Sequence, residues 1–146
     1  MITYTNTNIK GFNGHIIQVH PDFVPYMDKI NSSAARLGIM VHVTNSFRKP
    51  TDVLTGTVVT PAKMSNHLIA CAIDFNLEIN KVWYNKVKIE LAYKSRLGAV
   101  YSFIQECKSF ELRYGGDFNT SDPIHFDNGL NVNNPDKWHE IYNSLG

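Results

Sequence analysis

The sequence has few cysteines, no long apolar run and almost no net charge. Two cysteines, Cys71 and Cys107, are too few for a disulfide scaffold, and both fall in apolar segments that are typical of buried thiols. No apolar run approaches the length of a membrane span, so we predict no membrane-spanning segment. A net charge of +1 argues against non-specific nucleic-acid binding as the main activity.

A secretory signal is also missing from the start of the sequence. Residues 1–6 lack the basic start and the apolar centre of a signal peptide, which predicts synthesis in the cytoplasm without a cleaved signal. The apolar content of 43% and the charged content of 18% are ordinary for a globular protein. At 146 residues we expect one domain over residues 1–146, with residues 1–18 as an N-terminal arm that holds one short strand.

Apolar spacing and capping residues predict the secondary structure. Helices are expected from Pro21 to Gly38, over residues 95–108 and from Pro135 to Leu145. Strands are expected at residues 39–44, 71–75 and 110–114. We interpret residues 51–64 as a loop with at most one short strand. Lysines mixed with aromatics over residues 80–95 are found on sugar- or nucleic-acid-binding faces, but we favour a solvated surface segment.

The predicted strand Cys71–Phe75 contains a carboxylate. Because side chains alternate along a strand, Ile73 and Phe75 would face the core while Ala72 and Asp74 would line the opposite face. Burying a carboxylate is costly unless it is paired, hydrogen-bonded or bound to a metal. Asp74 is therefore either a ligand in a site or a strand-end residue that caps a neighbouring amide.

Two histidines elsewhere in the sequence suit the first alternative. His67, Asp74 and His125 form a two-histidine, one-carboxylate set with one open position, which is typical of catalytic zinc. Asp122, three residues before His125, is placed to act as a general base. Arg48, just after a predicted strand, could stabilise an oxyanion through its fork of donors. These parts together indicate amide hydrolysis.

The same residues resemble the signatures of a known family. Ser65, His67, Ala72 and Asp74 match S-x-H-x-x-G-x-A-x-D, and residues 122–125 match its downstream [DE]-x-x-H. These patterns are similar to those of the VanY and VanX type D-Ala-D-Ala metallopeptidases and of the related phage L-alanyl-D-glutamate endopeptidases. Three further segments look like the endopeptidases: residues 19–24, 46–48 and 114–118.

The resemblance implies a zinc-dependent peptidase that hydrolyses an amide bond in peptidoglycan stem peptides, of the L-Ala-D-Glu endopeptidase or D,D-carboxypeptidase type. It implies a small α+β fold, with helices packed on a mostly antiparallel sheet and the zinc site at the sheet. Carried over residue by residue, it gives metal ligands His67, Asp74 and His125, catalytic residues Asp122 and Arg48, and substrate contacts Ser46, Ser65 and Arg48.

Three departures from the family pattern stand out. Ala70 replaces the motif glycine, and its methyl group would either be absorbed by a conformation that is not left-handed or disturb the ligand loop. Tyr114 and Phe118 replace two tryptophans. Asp136 to His139 forms a second Asp-x-x-His; we favour Asp122 and His125 because the Gly-Gly-Asp run precedes them.

The resemblance and the missing signal predict a phage endolysin or a secreted antibacterial effector. Such a protein would act on the cell wall after delivery by a holin or a secretion system, with a delivery partner or an immunity protein as further partners. The alternative is a non-catalytic zinc-binding module of the same superfamily, against which Asp122 argues. A D,D-carboxypeptidase of cell-wall turnover is a third candidate, and a short chain without an export signal argues against it.

Overall fold

A six-stranded, mostly antiparallel sheet forms the centre of the molecule in a computed structural model that describes residues 1–51 and 63–145. Its path is β2-β4-β5-β8-β7, with β6 also paired to β5, and only β2 and β4 run parallel. β1 and β3 form a separate antiparallel pair. The strands are β1 Ile2–Thr3, β2 Ile9–Gly11, β3 Gln18–Val19, β4 Ile39–Asn45, β5 Ala72–Ile79, β6 Val82–Tyr84, β7 Arg113–Tyr114 and β8 His125–Asp127.

Five α-helices accompany the sheet in the described part of the chain. They are α1 Val24–Leu37, α2 Lys86–Ser95, α3 Gly98–Ser109, α4 Leu130–Asn133 and α5 Pro135–Leu145. α1 packs against both β4 and α3, and α3 also contacts β7 and α2. The predicted α+β class, with helices packed on a mostly antiparallel sheet, is confirmed.

The first helix illustrates how the sequence produces this packing. A 3-10 turn over Pro21–Phe23 precedes α1, because proline is well tolerated where no helical hydrogen bond is required of its nitrogen. Met27, Ile30 and Ala34 follow at helical spacing and are all fully buried. Gly38 ends the helix in the left-handed conformation, with φ 71°, as its position in the sequence predicts.

The two central strands alternate as predicted. Ile73, Phe75 and Leu77 on β5 are fully buried, and Phe75 pairs with Val43 of β4. The ring of Phe75 stacks on that of Phe126 in β8, at 4.9 Å between centroids. These side chains form the core under the helices, so the alternate residues of β5, Asp74 included, lie on the other face.

Three predictions of local structure were wrong or incomplete. The segment 80–95 lies at the surface, as predicted, but it also contains β6 and α2, and within α2 only Ile89 is buried. The strand predicted at residues 110–114 is limited to Arg113–Tyr114. Residues 1–18 hold more order than one strand, because β2 joins the main sheet and β1 pairs with β3.

The loop predicted at residues 51–64 lies mostly outside the described residues. Within residues 1–51 and 63–145, none of the helices combines the length and the apolar character that crossing a bilayer would need. Cys71 and Cys107 are free thiols and fully buried, as predicted. Cys71 lies between the turn that contains His67 and the start of β5, whereas Cys107 lies on α3.

Candidate metal centre

His67 lies in a 3-10 turn, Asn66–Ile69, that leads into β5. The Oγ of Ser65 accepts a hydrogen bond from the backbone N–H of His67 at 3.2 Å and so caps this turn. The turn ends at Ala70, which adopts the left-handed conformation with φ 59° and donates its N–H to the carbonyl of His67. Together these bonds fix the backbone of His67.

The other two predicted ligands face each other across neighbouring strands. Asp74 on β5 is paired in register with His125 on β8. Oδ1 of Asp74 lies 3.1 Å from Nδ1 of His125 and 3.2 Å from Nε2 of His67. One donor atom from each of the three residues falls within 4.8 Å of the others, so the fold brings the three together.

The outward-facing nitrogens of both histidines are already occupied, which decides which atoms face a metal. Nδ1 of His67 hydrogen-bonds the carbonyl of Ser46 at 2.7 Å, and Nε2 of His125 hydrogen-bonds Oδ2 of Asp127 at 2.6 Å. Their other ring nitrogens are left to point toward Asp74. Metal-binding histidines in proteins are usually oriented in this way. Two imidazoles and one carboxylate with a free position fit zinc well.

Charge also favours a cation here. Burial would raise the pKa of Asp74, but His67 and His125 hold it well below its ordinary value. Burial would lower the pKa of His125, but hydrogen bonds to Asp127 and Asp74 raise it. Arg113 pairs with Asp127, so Asp74 and Asp122 are the carboxylates whose charge a divalent cation would offset once both imidazoles are neutral ligands.

Asp122 is held at the edge of the cluster. Its backbone N–H donates to the carbonyl of Gly115 at 2.8 Å, and its side chain is partly buried. Burial and the charge of Asp74 raise its pKa, while His125 and His67 lower it, so its carboxyl group lies within electrostatic reach of all three predicted ligands. The role of Asp122 as general base stays a prediction.

Residues 46–48, which include Arg48, contact the turn that contains His67. The backbone N–H of Arg48 donates to the carbonyl of His67 at 3.0 Å, and the side chain of Arg48 is partly buried. Ser46, predicted as a substrate contact, is 1% exposed. Its Oγ contacts Nε2 of His15 at 2.8 Å and accepts a bond from the N–H of Gln18, while its carbonyl holds His67. A substrate contact by Ser46 stays a prediction.

The second Asp-x-x-His lies elsewhere. His139 is exposed on α5, where its ring meets Trp138 edge-on at 5.1 Å. Among the described residues, the cluster of His67, Asp74 and His125 is the one group of three side chains that could hold a metal ion. The fold therefore places His125, and not His139, beside Asp74.

Sequence reasoning missed Asp127 and Arg113. Asp127 is 2% exposed and accepts two bonds from Arg113, at 2.8 and 2.9 Å. The available signal was the spacing of His125 and Asp127, which lie two residues apart and so share one face of a strand.

Comparison with known proteins agrees with the motifs. The peptidase M15 family model described as D-alanyl-D-alanine carboxypeptidase matches residues 59–128, a stretch that contains both motif halves. This stretch of the chain is similar to that family. The match ends just after β8, so it includes the three predicted ligands and Asp122 but not Arg48.

No curated protein sequence matches the chain. Among solved structures, the chain is similar to the crystal structure of the Serratia marcescens L-Ala D-Glu endopeptidase ChiX, at 18% sequence identity and a TM-score of 0.46. The similarity covers 77% of this chain and 82% of ChiX.

Proposed function

We propose that this protein is a zinc-dependent peptidase that hydrolyses an amide bond in peptidoglycan stem peptides. The observation that supports it most is the convergence of His67, Asp74 and His125 on one point with Asp122 at its edge. The relationship to the D-Ala-D-Ala carboxypeptidases supports the substrate class. The L-Ala-D-Glu endopeptidase and the D,D-carboxypeptidase types both stay predictions.

In this proposal His67, Asp74 and His125 hold the ion through Nε2, a carboxylate oxygen and Nδ1. Zinc, when bound, would polarise the scissile carbonyl and make a water molecule more acidic. Asp122 would accept the proton of the attacking water and return it to the leaving amine. Its partial burial and raised pKa suit a group that must both take up and release a proton.

Arg48 would meet the negative charge that develops on the carbonyl oxygen, or hold a substrate carboxylate. Its backbone bond to the carbonyl of His67 ties the main chain of Arg48 to the turn of a proposed metal ligand, so its side chain starts close to the site. Ser65 would act on the site through the backbone of His67, which it caps.

The test is digestion of purified peptidoglycan, with mass spectrometry of the new termini and zinc analysis of the same preparation. A new N-terminal D-Glu would identify an endopeptidase, and released D-Ala a carboxypeptidase. His67→Ala should lose zinc and hydrolysis together. Asp122→Asn should keep zinc and lose about a hundredfold to ten-thousandfold in rate. Arg48→Lys should keep zinc and lose about a hundredfold to a thousandfold in kcat.

His139→Ala is the matched control, because it removes an exposed histidine from the second Asp-x-x-His, and it should leave both zinc and hydrolysis unchanged. Full zinc occupancy in His67→Ala would overturn the ligand set. A wild-type protein that binds zinc without cutting any stem peptide would instead favour the non-catalytic module.

Delivery as a phage endolysin or a secreted effector, and an immunity protein as partner, stay predictions. Expression in the periplasm and in the cytoplasm of a test bacterium would address them, since lysis is expected only where the enzyme reaches the wall.

A further inference from the structure

Asp127 lies behind the candidate metal centre and is fixed from three sides. Nε2 of His125 donates to its Oδ2 at 2.6 Å, and Arg113 donates through Nε to Oδ1 and through Nη2 to Oδ2. The backbone N–H of Gly129 adds a bond to Oδ1 at 2.7 Å. The Asp127 side chain is 3% exposed, so these protein groups are its surroundings.

The hydrogen bonds continue from Arg113 to Asn66, at the start of the turn that contains His67. Nη2 of Arg113 also donates to Oδ1 of Asn131 at 3.0 Å. Asn131 and Asn66 exchange two bonds: Nδ2 of Asn66 donates to Oδ1 of Asn131, and the N–H of Asn131 donates to Oδ1 of Asn66. Asn66 directly precedes His67 and is 2% exposed. A continuous polar network therefore runs from the imidazole of His125 to Asn66, the residue directly before His67.

We propose that Asp127, held by Arg113, is the positioning carboxylate of this metal centre, and that the network through Asn131 and Asn66 sets the spacing of its two histidines. Asp127 keeps the proton of His125 on Nε2 and so presents Nδ1 to the metal. This inference rests on the metal site of the proposed function. It assigns a role to four residues that contact neither metal nor substrate.

A purely structural role for the same residues makes a different prediction. Arg113 and Asp127 are cross-strand partners on the short strands β7 and β8, so their ion pair also stabilises the sheet edge. If that were all, their replacement would lower the free energy of unfolding and leave metal affinity untouched. The bond from Nε2 of His125 to Asp127 favours the positioning role, because it fixes the tautomer and orientation of an imidazole whose other nitrogen points toward Asp74.

The experiment compares Asp127→Asn and Arg113→Met with the wild-type protein by zinc competition against a chelator. Loss of such a supporting partner typically costs about ten- to a hundredfold in metal affinity, and we expect this for both variants. The absorption spectrum of the cobalt-loaded protein should change as well, because the imidazole of His125 is no longer held in one orientation. Arg113→Met does not alter Asp127 itself, so it remains informative if Asp127→Asn fails to fold.

Arg36→Met is the matched control, since Arg36 pairs with Glu106 between α1 and α3, away from the metal centre. It should leave zinc affinity and the cobalt spectrum unchanged. Wild-type zinc affinity and an unaltered cobalt spectrum in both test variants would overturn the inference while leaving the proposed function intact.

A metal-independent readout separates the two hypotheses further. In the metal-free wild-type protein, the Nε2–H of His125 should give a slowly exchanging, downfield proton resonance, and Arg113→Met should weaken its protection. If the wild-type protein binds no metal, the proposed function fails. Unchanged protection in Arg113→Met would overturn the positioning of His125 by the network, whatever the result with metal.

Discussion

Ala70 holds a backbone conformation that disfavours any residue with a Cβ. Its φ of 59° is left-handed, and this conformation typically costs an L-residue about 1–2 kcal/mol relative to the right-handed one. The sequence left two alternatives open, a conformation that is not left-handed or a disturbed ligand loop. The structure shows neither, because Ala70 is left-handed and the turn is intact. The backbone of Ala70 still donates to His67 and accepts from His20, so the ligand loop keeps its shape with alanine in the glycine position.

Ala70→Gly should therefore change the free energy of unfolding by less than about 1 kcal/mol. Relief of the left-handed strain is offset by loss of a buried methyl group, worth about 0.8 kcal/mol, and by a more flexible unfolded chain. Zinc affinity should not change. Urea unfolding and chelator competition measure both quantities, and a loss above about 2 kcal/mol would mean that packing of the methyl dominates.

Ala70→Val is the contrasting variant at this position. A β-branched side chain is strained at positive φ, and Ala70 is fully buried, so valine should be far more destabilising than glycine.

At this scale the sequence predicted the three side chains that the fold brings together, but not the ion pair of Asp127 and Arg113 beside them. His67, Asp74 and His125 could be found because zinc accepts few residue types in few spacings. The spacing of His125 and Asp127 was a signal for Asp127, but its contact with Arg113 could not be predicted, because that contact depends on the register of β7 and β8, which are two and three residues long. Strands that short leave no alternating pattern in the sequence.

The turn over Gly115–Asp117 packs against Asp122 and His125. A Cβ at Gly115 would collide with the carbonyl oxygen of Asp122 and lie 2.8 Å from the Cβ of His125. Neither neighbour is the flexible end of a side chain, so the backbone would have to move. The first glycine of the Gly-Gly-Asp run is thus required for close approach of this turn to β8.

Gly115→Ala should lower the free energy of unfolding by about 1–3 kcal/mol, as overpacking usually does, and should also weaken zinc binding because His125 is displaced. Gly38→Ala supplies the comparison. A Cβ added at position 38 would meet open space but the φ there is 71°, so alanine should cost about 1 kcal/mol without affecting zinc. Equal zinc affinity in Gly115→Ala and wild type would show that the turn does not position His125.

Helices whose apolar residues recur at regular helical spacing were predicted well, and elements without such spacing were missed. α1 and α5 present buried residues at helical spacing, and both were identified close to their observed ends. α2 buries Ile89 alone, so its sequence resembles that of a solvated segment. The helix α2 begins after Asn85, whose side-chain oxygen accepts a hydrogen bond from the N–H of Lys88 at 3.1 Å. An asparagine at this position is a local signal for a helix start.

For the molecule as a whole, the sequence predicted the class but not the connections. The α+β class and the mostly antiparallel sheet followed from the family resemblance. The parallel pairing of β2 with β4 could not be predicted, since β2 is a three-residue strand in a polar N-terminal segment and pairs with a strand about thirty residues away. That pairing adds residues 9–11 to the sheet edge, next to the segment that contains His15, the partner of Ser46.

The two buried cysteines occupy different parts of this architecture. Burial raises the pKa of Cys71 to about 12 and also raises the pKa of Cys107, so neither thiol reacts while it stays buried. Cys71 directly follows the turn of His67, and its N–H donates to the carbonyl of Asn66 at 2.9 Å. Cys107 lies in the helical layer. Each thiol becomes reactive only when its own region opens.

Reaction of each thiol with an alkylating reagent therefore reports local opening in an unmodified protein. At zinc about a hundredfold above its Kd, an opening that releases the ion should become roughly a hundredfold rarer, which corresponds to about 2.7 kcal/mol. Peptide mapping of one sample gives both rates. We expect zinc to slow alkylation of Cys71 by this factor, and an unchanged rate at Cys71 would contradict it.

The rate at Cys107 then shows how far the effect of the ion extends. Equal slowing at both cysteines would mean that sheet edge and helices open as one cooperative unit, while slowing confined to Cys71 would mean that the ligand turn opens by itself. The chain thus contains two internal probes of its own cooperativity, one beside the ligand turn and one in the helices.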